Sequence, residues 1–281
     1  MSAGARGARP MLAWALLVPI LAVNALVFFW PTFNLFKMSF IRGEATGALT
    51  DETTLANWTG LVRDSFYSEL LVSSVTISVM ITALTLVLSY PIALYLHRAR
   101  GLKRTVLLVL VISPLLTSAV VRTYGWIAIL SDGGLINSLL KALGLPAQRL
   151  IFNTQGVVLG LTEILMPYMI LALLAGFGRL DARLEEAAAT LGARPRQAFW
   201  RVVLPLSLPG VMLGCLLCFV LAVSSFITPK LLGGGRVFLL ATEIYDQAIV
   251  TLNWPLAATL SMVVLIVFGL ALALYARAAK L

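Results

Sequence analysis

The chain has 281 residues, of which 60% are hydrophobic and 12% charged, and its formal net charge is +9. A soluble domain has roughly half apolar and about a quarter charged residues, so this composition excludes a water-soluble core and indicates an integral membrane protein. The positive charge does not indicate nucleic-acid binding, because the basic residues flank long apolar runs, as in the loops of membrane proteins.

Six apolar runs of roughly 20 residues, the length that crosses ~30 Å of hydrocarbon, predict an all-α membrane protein with six transmembrane helices. In chain order they lie at 11–30, 68–96, 105–130, 155–178, 206–227 and 255–276. The first run follows Arg6 and Arg9, as in a signal peptide, but it lacks a small-residue cleavage site. We therefore expect it to remain as an uncleaved first helix.

The distribution of lysine and arginine predicts the orientation of these helices. The N-terminus, the second and fourth loops and the C-terminus hold more of these residues than the remaining loops do. The second loop alone contains Arg98, Arg100, Lys103 and Arg104. Because basic loops stay in the cytoplasm, both termini are predicted to be cytoplasmic.

The fourth loop, residues 179–205, carries signals for two short helices. Asp181 suits the N-cap of a helix, and Gly192 suits the left-handed residue that ends one. Pro195 suits the first turn of a second helix, and Pro205 marks the beginning of the next span. The loop is thus predicted to fold as a helix, a glycine bend and another helix.

The first of these helices is predicted to have an apolar stripe. The residues at helical spacing are Leu180, Leu184, Ala187, Ala188 and Leu191. An exposed apolar face outside the membrane calls for a protein partner, but an amphipathic linker resting on lipid headgroups has the same pattern. The periodicity leaves both interpretations open.

The same loop resembles the EAA loop of ABC-importer permeases. The residues that match the family pattern are Glu186, Ala187, Ala188, Gly192, Val202, Leu204 and Pro205. The one departure is Val202, where isoleucine is commoner. The resemblance implies that 179–205 is the coupling loop, whose helix docks on an ATP-binding subunit. It also implies the type I importer fold, with a core made of the last five spans.

Further segments resemble permeases of the spermidine/putrescine type. They are 114–117, 121–124 with Trp126, 134–137, 231–234 and 253–255. The resemblance implies a permease that imports a polyamine or a similar small solute, with residues 1–67 as the first helix and outer loop and 68–281 as the transport domain. The alternatives are an importer of iron, thiamine, phosphonate or opine, an ATPase-independent secondary transporter, or a membrane scaffold.

The sequence contains no G-x-x-x-x-G-K-[ST] phosphate loop. We therefore expect a chain that is not an enzyme, with no catalytic residue, cofactor or metal of its own. The resemblance implies that ATP and Mg are bound by two partner ATPase subunits. It further implies a second, related permease and a soluble substrate-binding protein, assembled at a bacterial inner membrane.

Two ionisable residues fall inside predicted spans. At ~1.5 Å per residue, Arg122 and Glu163 would both lie roughly 12 Å below the outer surface. Such charges are costly unless they are paired or face water, so they form either a buried ion pair or the polar lining of a cavity. We hypothesise that they pair when the cavity is closed. The candidate path residues are Arg122, Tyr124, Trp126, Glu163, Glu243 and Asp246.

A polyamine substrate would favour acidic side chains along this path. Glu163, Glu243 and Asp246 meet that expectation, whereas the positive charge of Arg122 opposes it.

Overall fold

The computed structural model describes residues 5–43 and 49–278. The elements of the first half are α1 (Ala5–Met38), β1 (Ile41–Gly43), β2 (Leu49–Thr53), α2 (Ala56–Arg63), α3 (Ser65–Arg98), α4 (Gly101–Ile112), α5 (Ala119–Leu130) and α6 (Leu135–Ala142). The elements of the second half are α7 (Thr154–Gly176), α8 (Ala182–Thr190), α9 (Pro195–Ala198), α10 (Leu204–Ser224), α11 (Ile227–Leu232), α12 (Leu240–Tyr245) and α13 (Trp254–Ala278). The predicted all-α class is confirmed, with the antiparallel pair of β1 and β2 as a small addition that the sequence did not predict.

Five helical segments of the described residues are long and apolar enough to cross a bilayer, and a bent helix pair supplies a sixth span if it is counted as one. Four predicted spans coincide with α3, α7, α10 and α13 to within a few residues. The first predicted span lies inside α1, which is longer than expected. The apolar runs of the sequence therefore predicted the positions of five spans correctly. The third predicted span differs, because it corresponds to the bent helix pair.

The predicted third span, 105–130, is wrong as a continuous helix, because the chain bends by 99° between Gly101–Leu116 and Ala119–Ala142. Pro114 is the second residue of the 3-10 turn Ser113–Leu116, where its missing N–H cannot join a helical ladder. Thr117 then adopts an extended conformation. Ser118 restarts the helix, since its side chain accepts a hydrogen bond of 3.3 Å from the N–H of Val120. Neither the proline turn nor the Ser118 cap changes the average hydropathy of the segment, so the apolar run alone predicted a continuous helix.

The chain divides into two compact units, one of residues 1–63 with 246–263 and the other of 64–245 with 264–281. In the first unit, hydrogen bonds converge on the backbone after α1. Asn57 Nδ2 donates to the carbonyls of Ser39 and Ile41 over 3.1 and 2.9 Å, and Thr259 Oγ1 donates to that of Ser39 over 3.3 Å. These bonds hold the end of α1 against α2 and the beginning of α13.

In the second unit, α3, α7 and α10 pack together as the core. The face of α3 in this core carries small hydroxyl residues at helical spacing. They are Ser74, Ser78, Thr82, Thr85 and Ser89, all of them buried. Thr82 and Thr85 donate to carbonyls one turn earlier, over 2.7 Å each. Small side chains whose hydroxyls are satisfied within their own helix allow neighbouring helices to approach closely.

Candidate functional site

The loop between α7 and α10 begins with the helix that the sequence predicts. Asp181 is the N-cap of α8, and its Oδ1 accepts a hydrogen bond of 3.0 Å from the N–H of Arg183. Glu185 lies in the first turn, where the positive end of the helix dipole favours a carboxylate. The predicted helix start is confirmed.

Gly192 makes the predicted bend. Its φ of +83° lies in the left-handed region, which costs glycine nothing and other residues about 1–2 kcal/mol. The N–H groups of Gly192 and Ala193 donate to the carbonyls of Ala189 and Ala188, which satisfies the end of α8. Pro195 then occupies the first turn of α9, so the predicted helix–glycine–helix fold is confirmed.

The apolar stripe is exposed at Leu184, Ala187 and Leu191, half-buried at Ala188 and buried at Leu180. Leu191 is 88% exposed and Leu184 is 42% exposed, and Glu186 and Ala187 are also exposed. Leu180 departs from the prediction, because it is buried in the core of the second unit. The exposed surface of α8 and its C-cap Leu191 therefore includes an arginine, a carboxylate, small residues and two leucines.

The end of the loop packs against the helices of the second unit. Phe199–Val203 form a π-helical turn that contains the half-buried Val202. Leu204 begins α10, and Pro205 lies in its first turn, where a proline needs no donor. The ring of Phe199 packs edge-on against that of Tyr90, with the ring centres 5.7 Å apart. The matching residues Val202, Leu204 and Pro205 thus fix where the loop leaves the core.

A contact that the sequence did not predict joins this loop to α3. Arg98 Nη2 lies 2.6 Å from Glu185 Oε2, and His97 Nε2 lies 3.2 Å from the carbonyl oxygen of Leu180. Arg98 and Glu185 are far apart in sequence. The one sequence signal for their pairing was that basic residues end the second span and acidic residues begin α8.

A second candidate site is a polar cluster where α5 meets α7. The indole Nε1 of Trp126 donates a hydrogen bond of 3.1 Å to Glu163 Oε2. The hydroxyls of Thr123 and Thr228 lie 3.0 Å apart and join α5 to α11. Gly160 faces this junction, since a Cβ there would meet Leu232 at 3.3 Å. Small residues thus let the helices approach around one carboxylate.

The hypothesised Arg122–Glu163 ion pair is not formed. Both residues lie in the described part of the chain, and Glu163 contacts Trp126 instead. Nε and Nη1 of Arg122 are buried and have no hydrogen-bond partner among the described residues. The equal depth that motivated the pair assumed a straight third span, and the 99° bend removes that assumption. Arg122 and Glu163 therefore have separate surroundings.

The other candidate path residues lie on different elements of the chain. Tyr124 points outward and is 58% exposed. Glu243 is buried in α12, which is attached to α3 by a 2.8 Å hydrogen bond from the N–H of Leu240 to Ser74 Oγ. Asp246 begins the π-helical turn Asp246–Val250 and belongs to the other compact unit. Trp126 and Glu163 are thus the two candidate path residues that a side-chain hydrogen bond brings together in this cluster.

The motif at 134–137 has a structural explanation. Asn137 is fully buried, and its Nδ2 donates to the carbonyls of Ser131 and Gln148 over 3.1 and 3.0 Å. Its Oδ1 accepts from the N–H of Gln148 over 2.8 Å. Asn137 thus ties together the turns on either side of α6, and the amide is satisfied by the loop itself.

A helical membrane core with an exposed helix–glycine–helix loop is the architecture that the resemblance to ABC-importer permeases predicts. Residues 53–280 match the family described as binding-protein-dependent transport system inner membrane component, and the chain belongs to that family. It is 35% identical over 268 residues to the spermidine/putrescine transport system permease protein PotB of Escherichia coli (strain K12), covering 95% of this chain and 97% of that protein.

Solved structures show the same fold. A bacterial ABC transporter involved in the import of the acidic polysaccharide alginate matches with a TM-score of 0.74 and 18% identity, over 96% of each chain. The alginate transporter in complex with its alginate-pentasaccharide-bound periplasmic protein matches with a TM-score of 0.73 and 17% identity, over 95% of this chain and 93% of that one. The chain is thus a multi-pass permease component of an ABC importer, with the type I fold that the sequence predicted.

Proposed function

We propose that this permease couples to a separate ATPase through the coupling loop, residues 179–205. The observation that carries the proposal is the exposure of α8, whose outer surface includes Glu186, Ala187 and the almost fully exposed Leu191. A leucine left in water at a helix end is stabilised when a partner covers it. The coupling residues proposed are Glu186, Ala187, Ala188, Gly192, Val202, Leu204 and Pro205.

The proposed assembly follows the importer architecture. Two ATP-binding subunits would bind ATP and Mg and dock on the coupling loops of this chain and of a second, related permease. A soluble binding protein would deliver the solute from the opposite side, as the family description supports. This chain would itself hold no cofactor or metal and catalyse no reaction.

We place the coupling loop and both termini on the cytoplasmic side of a bacterial inner membrane. The supporting observation is the concentration of basic residues in the second and fourth loops. The 2.6 Å contact of Arg98 with Glu185 also brings the end of α3 beside α8, which requires these two loops to lie on the same side.

The proposed solute is a polyamine such as spermidine or putrescine. Two observations support it: the 35% identity to PotB over nearly the whole chain, and the Glu163 carboxylate held by Trp126 between two helices of the membrane core. An ammonium group of a polyamine pairs favourably with a carboxylate in a site that excludes water.

A different solute is favoured by one feature of the same region. The partly buried guanidinium of Arg122 has two nitrogens without hydrogen-bond partners among the described residues. Such a group suits an anionic solute, for which a phosphonate importer of the same subfamily is the alternative. Importers of iron, thiamine or opine remain further candidates.

ATP hydrolysis by the complete complex tests the proposal. The complex that co-purifies with this chain is placed in lipid, and its binding protein and spermidine are added. We expect stimulated hydrolysis in the wild type and no stimulation in Glu186→Lys, whose reversed charge faces the partner. Glu69→Lys is a matched control, because Glu69 is an exposed carboxylate at the opposite end of α3 from the coupling loop.

The possible outcomes separate the alternatives. Hydrolysis without stimulation by spermidine or putrescine would retain the importer and favour iron, thiamine or a phosphonate as the solute. An ATPase that co-purifies but never responds to any solute would favour a scaffold. Solute uptake without an ATPase would indicate a secondary transporter.

A further inference from the structure

The cytoplasmic-loop end of α3 is held by both arms of the coupling loop. On the first arm, Arg98 Nη2 lies 2.6 Å from Glu185 Oε2. One residue earlier, His97 Nε2 lies 3.2 Å from the carbonyl oxygen of Leu180, and its ring packs edge-on against Phe177, with the ring centres 5.6 Å apart. The last turn of α3 thus contacts the segment that leads into α8 at three points.

The second arm reaches α3 two turns earlier, at Tyr90. The Tyr90 ring packs edge-on against Phe177 and against Phe199, with centre distances of 5.7 Å in both cases. Its hydroxyl lies 2.9 Å from Ser207 Oγ, in the first turns of α10. Tyr90 therefore joins the entry and the exit of the coupling loop through one side chain.

These contacts matter because α3 is not adjacent to the coupling loop in sequence, since α4 to α7 lie between them along the chain. A displacement of α8 is passed to α7 and α10 through the chain itself, since those helices precede and follow the loop. It reaches α3 through the packing of α3 against α7 and α10 and through direct side-chain contacts between α3 and the loop with its flanking residues. Those contacts lie at Arg98, His97 and Tyr90, and the first of them is made by α8 directly.

Glu185 and Glu186 lie on different sides of α8. Consecutive residues of a helix point about 100° apart, so neighbouring carboxylates can serve different partners. Glu185 is half-buried against Arg98, whereas Glu186 is exposed. One side of α8 is therefore attached to α3, and another side is left for the ATPase.

The Arg98–Glu185 bridge is placed for transmission more than for stability. Its side chains are 53% and 32% exposed, and bridges with such exposure contribute little to folding. The buried packing of α3 against α7 and α10 supplies the stability instead. The bridge therefore contributes little to folding, but it joins α8 directly to the end of α3.

We propose that Arg98 and Glu185 are positioning residues that carry the movement of α8 to α3 during the transport cycle. The inference rests on the proposed docking of an ATPase on α8. A cavity of about 640 Å³ beside the bridge is lined by Arg100, Asp181 and Glu186 among others, so Arg100 is an alternative partner for Glu185. Removing Arg98 alone is therefore a weaker test than reversing each charge and then both.

The test measures solute transported per ATP hydrolysed, with the complete complex, its binding protein and spermidine in proteoliposomes. Arg98→Glu and Glu185→Arg should each lower this ratio about fivefold, as expected for loss of one coupling contact. The double exchange should restore it to within about twofold. Arg104→Glu is the matched control, because this exposed arginine has no ion-pair partner in the part of the chain that the structure describes.

The ratio distinguishes this inference from the proposed function. A wild-type permease that co-purifies with no ATPase would overturn both. Normal stimulation, with an unchanged ratio in both single variants, would overturn the positioning role alone. A single charge reversal that prevents assembly leaves the decision to the double exchange. A double variant that assembles and transports normally per ATP hydrolysed supports the positioning role of Arg98 and Glu185. A double variant that assembles but keeps a low ratio contradicts that role.

Discussion

Gly176 and Gly210 bring α7 and α10 into backbone contact. A Cβ on Gly210 would lie 2.7 Å from the Cα of Gly176 and 3.2 Å from the carbonyl oxygen of Ala172. One turn further along α10, a Cβ on Gly214 would meet the Met169 sulfur. At Gly176 and Gly210 the two helices that flank the coupling loop therefore meet through backbone atoms, which cannot rotate away.

Gly210→Ala should destabilise the membrane core. The added methyl group meets backbone atoms, which cannot rotate away, and overpacking of this kind costs about 1–3 kcal/mol. We expect a lower unfolding temperature of the purified protein, measured by size-exclusion fluorescence after heating. Gly269→Ala in α13 is the control, because nothing lies within 4 Å of a Cβ there. Equal unfolding temperatures for both variants would contradict the contact.

Gly192→Pro should abolish uptake while the protein still inserts and accumulates normally. Proline fixes φ near −65°, whereas the bend requires +83°, so α8 and α9 would lose their relative orientation. Gly192→Ala should give an intermediate loss, since a left-handed alanine costs about 1–2 kcal/mol. Uptake is measured with labelled spermidine in whole cells. Gly178→Ala serves as control, because Gly178 has open space around it.

Leu191→Asp should weaken the association with the ATPase. Leu191 is 88% exposed, and burying a leucine contributes about 1.5–3 kcal/mol, which corresponds to roughly tenfold or more in affinity. The measurement is the amount of ATPase retained by the tagged permease at increasing dilution. Val62→Asp is the control, because it introduces the same charge at a similarly exposed apolar position in α2. This variant should retain as much ATPase as the wild type. Equal retention would mean that α8 is not the docking surface.

Glu163→Gln should reduce spermidine uptake by about tenfold, the equivalent of one lost charged hydrogen bond of about 1.4 kcal/mol. Trp126→Phe should cause a smaller loss, because it removes only the donor that holds the carboxylate. Initial uptake rates at several spermidine concentrations, normalised to assembled complex, measure both effects. Unchanged rates in Glu163→Gln would remove this cluster from the transport path.

Arg122→Leu distinguishes a polycationic solute from an anionic one. Loss of the buried positive charge should leave spermidine uptake unchanged or raise it, whereas uptake of an anionic solute such as a phosphonate should fall. Competition of both solutes in one uptake assay gives the comparison directly. A fall in spermidine uptake with normal assembly would contradict the polyamine proposal.

The sequence determined the features that depend on neighbours within a turn or two. Apolar runs located α3, α7, α10 and α13, because a span needs a minimum apolar length wherever it packs. Asp181 and Gly192 marked the ends of α8, because a cap and a left-handed bend are satisfied by the adjacent backbone. The helix–glycine–helix fold of the coupling loop was therefore predictable.

Only the tertiary structure decided which distant side chains meet. Glu163 contacts Trp126 and not Arg122, and Arg98 reaches Glu185, because each pairing depends on the rotation and tilt of whole helices. Helix periodicity shows which residues share a face, but it carries no information about the helix that the face contacts. The bend at Thr117 is likewise a feature that only the tertiary structure shows. It changes the direction of α5 relative to the other helices, and therefore which residues the faces of α5 contact.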